Sequence, residues 1–153
     1  MIEKKDLKKI EEEVKEFFKK IEFEIEIESL KLEEQTVQVN LKVREPQILI
    51  GEKGETLTEI QHLLKAILRR KIGKNFYLNL DINNYKKKKN DYLKELARSL
   101  ADEVALTKKE KELPPMPASE RRIIHLELAE RPDVTTESIG QEPERRVIIR
   151  PYP

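Results

Sequence analysis

The chain has 153 residues, of which 37% are hydrophobic, 40% charged and 5% aromatic, and it contains no cysteine. This length suits one ordinary domain or two small ones and excludes a large multi-domain enzyme, while the lack of cysteine excludes disulfides, thiolate metal sites and cysteine nucleophiles. The net charge of +1 hides a gradient, from −4 over residues 1–35 to +3 over 36–83 and +2 over 84–153, and the later excess of cations favours an anionic partner.

The first half of the chain predicts two helices, a short helical turn and three strands. Apolar residues at helical spacing indicate amphipathic helices, and alternation of apolar and polar residues indicates strands with one wet face. In chain order these patterns predict a helix at 3–20, strands at 22–28 and 37–43, one apolar turn at 47–50, a helix at 55–71 and a strand at 76–82.

The second half predicts two further helices and a pair of strands. The helices are expected at 85–107 and 118–130, with three prolines between them, and the strands at 134–139 and 145–150. Proline cannot continue a helix, so the cluster at 114–117 separates the two helices. The whole chain is therefore predicted to be an α+β protein of two fused modules, with domains at 1–83 and 84–153.

A short loop between two glycines is the most specific local pattern. It reads Gly51-Glu52-Lys53-Gly54 and is called the glycine loop below; it follows Ile50 and precedes the helix at 55–71. Glycines let the chain turn sharply and let a phosphodiester approach closely, while the amides at the start of the next helix attract anions. Lys53 adds a cation, and Ile50 borders an apolar groove expected to hold unstacked bases. An ordinary turn between helices is the alternative explanation.

Arg121 and His125 form the second candidate site. They lie four residues apart in a predicted helix, so they share one face, which we expect to be exposed. A guanidinium fork beside an imidazole suits a phosphate or a base edge. The alternative is a helix with an exposed arginine and a half-buried, structural histidine. The lysine run at 86–89 is a weaker candidate, because such runs are often solvated surface.

In this order, the glycine loop and the Arg-x-x-x-His pattern resemble the bacterial Jag family. The second pattern has supporting neighbours, Pro115-Met116-Pro117 before it and residues 143–149 after it. In that family a type II KH domain, with the order helix, strand, strand, helix, helix, strand, precedes a small single-strand-binding domain named for its Arg, three residues, His signature. The resemblance covers about residues 3–151.

The resemblance implies a cytoplasmic bacterial protein that binds single-stranded RNA, or single-stranded DNA, and regulates gene expression after transcription. It also implies an influence on cell envelope growth and division, with a small KH protein or a second copy of the chain as partner. The nucleic-acid-binding residues that it implies are Ile50, Gly51, Glu52, Lys53, Gly54, Arg121 and His125.

The main alternative is a protein-interaction scaffold whose KH surface has lost nucleic-acid binding. Glu52 favours it, because loops of the family often carry basic residues at both middle positions and a carboxylate repels phosphate. Enzymatic activity is not expected, since the sequence has no Walker loop, zinc-binding histidine pair or nucleophile elbow. No cofactor or metal is required, and no membrane insertion is expected because every apolar run is far shorter than the roughly 20 residues of a membrane span.

Overall fold

The computed structural model describes all 153 residues and divides into two compact units, Met1–Lys86 and Lys87–Pro153. The elements of the first unit are α1 (Lys4–Lys20), β1 (Glu26–Glu33), β2 (Thr36–Lys42), α2 (Gln47–Ile50), a 3₁₀ turn (Glu52–Gly54), α3 (Glu55–Ile72) and β3 (Tyr77–Ile82). Helix α4 (Tyr85–Thr107) runs across the division, and β4 (Lys111–Glu112), α5 (Ala118–Leu128), β5 (Val134–Ile139) and β6 (Arg146–Pro151) complete the second unit. The predicted α+β class is confirmed.

The first unit contains a three-stranded sheet in the order β1-β2-β3. β1 and β2 are antiparallel, with Leu30 opposite Val39. β2 and β3 are parallel, with Val39 opposite Leu80. A parallel pair needs a crossover connection, which α2, the glycine loop and α3 provide.

The core of the first unit lies between this sheet and the helices α1 and α3. Helix α1 contributes Ile10, Val14 and Phe18, which recur every four residues and are fully buried. The alternate residues of β2 and β3 and one stripe of α3 complete the core. Each such side chain contributes about 1.5–3 kcal/mol when it is removed from water. This burial fixes the position of α3, and therefore of the glycine loop at its start.

β1 differs from its predicted position. It begins at Glu26 and extends to Glu33, whereas the alternation of the sequence predicts a strand at 22–28. The pairing with β2 shifts register between Ile27 and Ser29, which is a β-bulge. A bulge reverses which alternate residues face the core, so Leu30 packs on the same side as Ile27 although their spacing is odd.

The second unit has its own antiparallel sheet, in the order β4-β6-β5, and its own core. Buried residues of α4, such as Ala97 and Ala101, pack with Ile124 of α5 and with Val147 and Ile149 of β6. α5 ends at Leu128, two residues before the predicted end at 130. β4 was not predicted, because a strand of two residues has too few positions to show alternation. No helix of the chain is both long enough and apolar enough to cross a bilayer.

Candidate nucleic-acid interface

The glycine loop joins α2 to α3 through three residues with positive φ. Gly51 has φ 72° and ψ −179°, Lys53 has φ 55° and ψ 19°, and Gly54 has φ 78° and ψ 14°. L-residues other than Asn and Asp rarely adopt such conformations. The backbone can therefore reverse direction within the loop and start α3 at Glu55.

Both glycines are also required by close neighbours. A Cβ atom at Gly51 would lie 2.1 Å from Thr56 Oγ1, and one at Gly54 would lie 2.8 Å from Tyr85 Cε1. Gly54 is buried against this ring, and Tyr85 in turn packs on the core of the first unit. The loop is thus held close to its own helix by a tight contact at each end.

The middle of the loop faces solvent. Glu52 and Lys53 are both exposed, and no side chain caps the first turn of α3. Amides in the first turn of a helix have no partner within the helix and carry a partial positive charge, so an anion is stabilised there. Gly54 N–H and Glu55 N–H already donate to the carbonyl oxygens of Gly51 and Glu52. The loop combines the amides that remain with the Lys53 cation, while the Glu52 carboxylate opposes an anion.

Apolar side chains beside the loop are exposed to different degrees. Ile50 is half-buried and packs on the core. Ile48 of α2 is 70% exposed and Leu63 of α3 is 54% exposed, so these two side chains are more open to a ligand than Ile50. Leu64, the neighbour of Leu63 on α3, is fully buried in the core instead.

Polar side chains of α3 cover the free edge of β3. Arg69 donates through Nε and Nη2 to the Phe76 carbonyl oxygen at 2.9 and 2.7 Å. Further along the same edge, Leu80 N–H donates to Gln61 Oε1 at 3.0 Å. An uncovered strand edge would offer these backbone groups to another chain, and α3 occupies them instead.

The lysine run divides into structural and exposed residues. Lys86 Nζ donates to Gln61 Oε1 at 2.6 Å and to Asn79 Oδ1 at 2.7 Å. Burial lowers its pKa, an effect that the negative charge of Asp81 opposes. Lys89 Nζ lies 2.7 Å from Glu120 Oε1. Lys87 and Lys88 are the exposed members of the run.

Arg121 is not on an exposed face, and the expectation that it would be is wrong. Its residue is 8% exposed. Nε donates to the Met116 carbonyl oxygen at 3.1 Å, and Nη2 donates to Glu142 Oε1 at 3.0 Å. The proline-rich segment before α5 and the turn between β5 and β6 supply these two partners. The contact of this turn with α5 depends on tertiary packing.

His125 is half-buried beside β5, and both of its ring nitrogens have partners. Nδ1 lies 2.7 Å from Thr136 Oγ1, and Nε2 lies 2.8 Å from Ser138 Oγ. Burial lowers the pKa of His125, and the positive charge of Arg121 lowers it further. The imidazole is therefore neutral at neutral pH and is already hydrogen-bonded on both sides.

The two candidate sites offer amides and cations to an anionic chain. The structure contains no preformed metal site. No group of three or more histidine, aspartate or glutamate side chains is placed to hold a metal ion. The residues that the sequence reasoning missed are Thr136 and Ser138. Their signal is the recurrence of hydroxyls at alternate positions of a strand, which places them on one face.

Models of two known domain families match the chain. A model described as KH domain matches residues 9–91, which is more than half of the chain. The chain belongs to the KH domain family. A second model, the Arg-x-x-x-His (R-3-H) domain, matches residues 91–151. The fold of the KH domain is consistent with type II, as the order of its elements predicts.

Three relatives share the name RNA-binding protein KhpB. The protein of Clostridium symbiosum is 39% identical over 116 residues, which cover 76% of this chain and 52% of that protein. The protein of Bacillus subtilis is 36% identical over 117 residues, covering 75% and 56%. The protein of Streptococcus pneumoniae serotype 2 is 30% identical over 115 residues, covering 75% and 35%. The matched region spans about half or less of each relative. The resemblance to the Jag family is confirmed.

The KH domain contains the glycine loop and Ile50, whereas Arg121 and His125 lie in the region that matches the Arg-x-x-x-His domain. The chain therefore carries two separate candidate surfaces. In the KH domain the loop is open to solvent. In the second domain the two signature side chains are hydrogen-bonded within the fold, to two hydroxyls, a carboxylate and a backbone carbonyl.

Proposed function

We propose that this chain binds single-stranded RNA and acts as a post-transcriptional regulator. The observation that carries the proposal is the glycine loop, whose two glycines leave the start of α3 open to a phosphodiester. KH domains use such a loop to hold the backbone of a few nucleotides of single strand. The relatives named RNA-binding protein KhpB support RNA rather than DNA as the ligand.

The proposed contacts in the first domain, residues 1–83, are the glycine loop and the apolar side chains beside it. Gly51 and Gly54 let the backbone approach, the amides at the start of α3 and Lys53 meet phosphate, and bases lie against Ile50 and its exposed neighbour Ile48. Glu52 weakens the site by repulsion. Phosphate contacts of this kind position the strand, and base contacts supply sequence preference.

The proposed binding residues of the second domain, residues 84–153, are Arg121, as a direct contact, and His125. Met116 and Glu142 use two of the five N–H donors of Arg121, so a phosphate that binds the guanidinium must approach beside the Glu142 carboxylate or replace it. Glu142 has an exposed side chain on a turn, so such an exchange costs little burial. His125 acts through the hydroxyls on β5 that occupy its ring nitrogens.

The proposed role is binding without catalysis, in the cytoplasm, and it requires no cofactor or metal. The half-buried His125, with both ring nitrogens engaged, is a poor acid or base for an RNA substrate. A small KH protein or a second copy of the chain is the proposed protein partner. A pure protein-interaction scaffold is the less favoured reading, because the relatives are named for RNA binding.

The decisive experiment replaces both middle residues of the glycine loop, Glu52→Asp together with Lys53→Asp. Aspartate tolerates the positive φ of Lys53, so the fold should be retained, and the added negative charge faces phosphate. We expect affinity for random single-stranded RNA, measured by fluorescence anisotropy, to fall by about tenfold, which is about 1.4 kcal/mol. The melting temperature should stay the same.

A matched control carries the same residue types and the same charge change elsewhere. This control is the double variant Lys8→Asp and Glu12→Asp, which changes two exposed positions of α1. Helix α1 meets α3 near its far end, where Lys9 Nζ donates to the Lys71 carbonyl oxygen at 3.0 Å, about 25 Å along α3 from the loop. Equal losses in both double variants, or no loss in the loop variant, would reject the loop as the clamp. A parent chain that binds no RNA would favour the scaffold.

A further inference from the structure

Around His125, the polar groups that keep spare hydrogen-bonding capacity are two hydroxyls of β5 rather than the imidazole. His125 Nδ1 and Nε2 are each hydrogen-bonded to a side chain of β5, Thr136 Oγ1 and Ser138 Oγ. A ligand that used either ring nitrogen would have to break one of these bonds. Thr136 and Ser138 are only half-buried, and a hydroxyl has one donor and two acceptor sites. Each hydroxyl therefore keeps hydrogen-bonding capacity after it has bound the ring.

The protons shared between His125 and the two hydroxyls determine which hydrogen bonds each hydroxyl can still offer to a ligand. A neutral imidazole has one N–H donor and one acceptor nitrogen. One of the two hydroxyls must therefore donate its proton to the ring, and the other must accept from the ring. This holds for either tautomer of His125. The first hydroxyl presents only lone pairs to a ligand, while the second is free to donate its own proton.

The hydroxyl that presents lone pairs needs a ligand group with a donor. Phosphate oxygens and the ring oxygen of deoxyribose are acceptors only, so the DNA backbone offers no such group. The ribose 2′-hydroxyl is both donor and acceptor, and it recurs along an RNA strand. Side chains two residues apart on a strand are separated by about 6.7 Å. Such a separation suits groups on successive units of a strand better than two atoms on one base edge.

We propose that Thr136 and Ser138 contact ribose 2′-hydroxyls and give the second domain a preference for RNA over DNA, with His125 as the residue that positions them. This inference rests on the proposed RNA-binding function. It assigns contact roles to two residues outside the Arg-x-x-x-His signature. It also makes His125 a positioning residue rather than a direct ligand of RNA.

The test compares affinities of the full chain for three probes of one sequence: single-stranded RNA, single-stranded DNA and 2′-O-methyl RNA. The methyl group removes the 2′ donor and keeps an oxygen at that position. Thr136→Val and Ser138→Ala each delete one hydroxyl. We expect each to lower the ratio of RNA affinity to DNA affinity by about three- to tenfold, as for the loss of one hydrogen bond. The advantage of RNA over 2′-O-methyl RNA should fall in the variant that deletes the hydroxyl presenting lone pairs, because only that hydroxyl needs the 2′ donor.

Three variants separate this role from a structural one. Thr135→Val removes the neighbouring hydroxyl, which is exposed and lies on the opposite face of β5, and should keep the parental ratio. Thr136→Ser retains the hydroxyl and should keep most of the ratio. His125→Ala leaves both hydroxyls in place but unoriented, so it should lower the ratio while RNA still binds. Melting temperatures of all variants show whether a lost ratio reflects unfolding.

The outcomes distinguish this inference from the function on which it rests. If the parent binds RNA through the glycine loop but Thr136→Val and Ser138→Ala keep the parental ratio, the hydroxyl contacts are wrong and the proposed function stands. If the parent does not distinguish RNA from 2′-O-methyl RNA, the 2′-hydroxyl contact is likewise rejected without use of any variant. If the parent binds no single strand at all, the proposed function fails and this inference fails with it.

Discussion

His125 links the local hydrogen bonds of the second domain to its stability. Burial disfavours the charged imidazolium, and the positive charge of Arg121 disfavours it further, so the pKa of His125 in the folded chain lies below its usual value. In the unfolded chain the imidazole has its usual pKa of about 6.5. The unfolded state therefore binds more protons in the pH range just below that value. Stability is fully present above it and is lost as the pH falls towards the lower, folded pKa.

We therefore predict that acidification weakens the fold through His125. Between about pH 7.5 and about pH 5.5, the melting temperature of the parent should fall more than that of His125→Gln, which removes this titration. His62→Gln removes the other histidine, on α3, and leaves the contribution of His125 in place, so it serves as the control. Thermal melts followed by circular dichroism give the comparison. Parallel pH profiles of the parent and His125→Gln would contradict the prediction.

The elements of the KH domain are joined at the free edge of β3. Arg69 and Gln61 of α3 satisfy the backbone at Phe76 and Leu80, and Lys86 ties Gln61 to Asn79. Gln61 Oε1 thus accepts from two donors at once. Because these groups are half-buried, water does not fully replace a lost partner. The start of α4 is therefore held to the sheet by a shared polar network.

Removal of the central donor should destabilise the first domain. We predict that Lys86→Met lowers the free energy of unfolding by about 1–3 kcal/mol, because the half-buried Asn79 Oδ1 loses its donor and Gln61 Oε1 loses one of its two. Lys87→Met changes an exposed neighbour in the same helix and should stay within about 0.5 kcal/mol of the parent. Urea unfolding provides the measurement. Equal midpoints for the two variants would show that the network contributes nothing.

Elements set by local chemistry could be predicted from the sequence, and those set by distant contacts could not. α3 and the glycine loop follow from apolar spacing and paired glycines, and their bounds agree with the structure. The bulge at Ile27 displaced β1, because the alternation on which the prediction relied changes phase there. The helix dipole alone would explain a cation such as Arg69 at the end of α3. In the structure, however, Arg69 also donates a hydrogen bond to the carbonyl oxygen of Phe76, which the sequence did not predict.

In the candidate sites, too, features set by local chemistry could be predicted and features set by distant contacts could not. Glu52 and Lys53 could be predicted to be exposed, because a short loop between helices has nowhere to bury them. The partners of Arg121 and His125 could not, because Glu142 and Ser138 reach α5 only through the packing of the sheet on the helix. Spacing of four residues predicts a shared helical face, but it does not say what covers that face.

At the scale of the whole chain, ion pairs within the fold neutralise part of the positive charge. Many arginines of the second unit that would suit phosphate are paired with carboxylates: Arg98 with Glu127, Arg131 with Asp133, Arg146 with Glu112 and Arg150 with Glu137. Exposed pairs of this kind add little stability individually. They do lower the number of cations that a nucleic acid can use without competition. The basic excess of the later segments therefore overstates the strength of an electrostatic interface.

A modest salt dependence follows from this neutralisation. If about three to five phosphates are neutralised, the logarithm of RNA affinity should fall against the logarithm of salt concentration with a slope of roughly −2 to −3.5, at about 0.7 per contact on a single strand. The loop variant with Glu52→Asp and Lys53→Asp should have a shallower slope, by about 0.7, because it loses one cationic contact. Binding isotherms across a range of potassium chloride concentrations measure both slopes. A flat response to salt would contradict an electrostatic interface. Tighter binding to duplex DNA than to single-stranded RNA would contradict a single-strand interface, since neither candidate surface presents a helix shaped for the major groove.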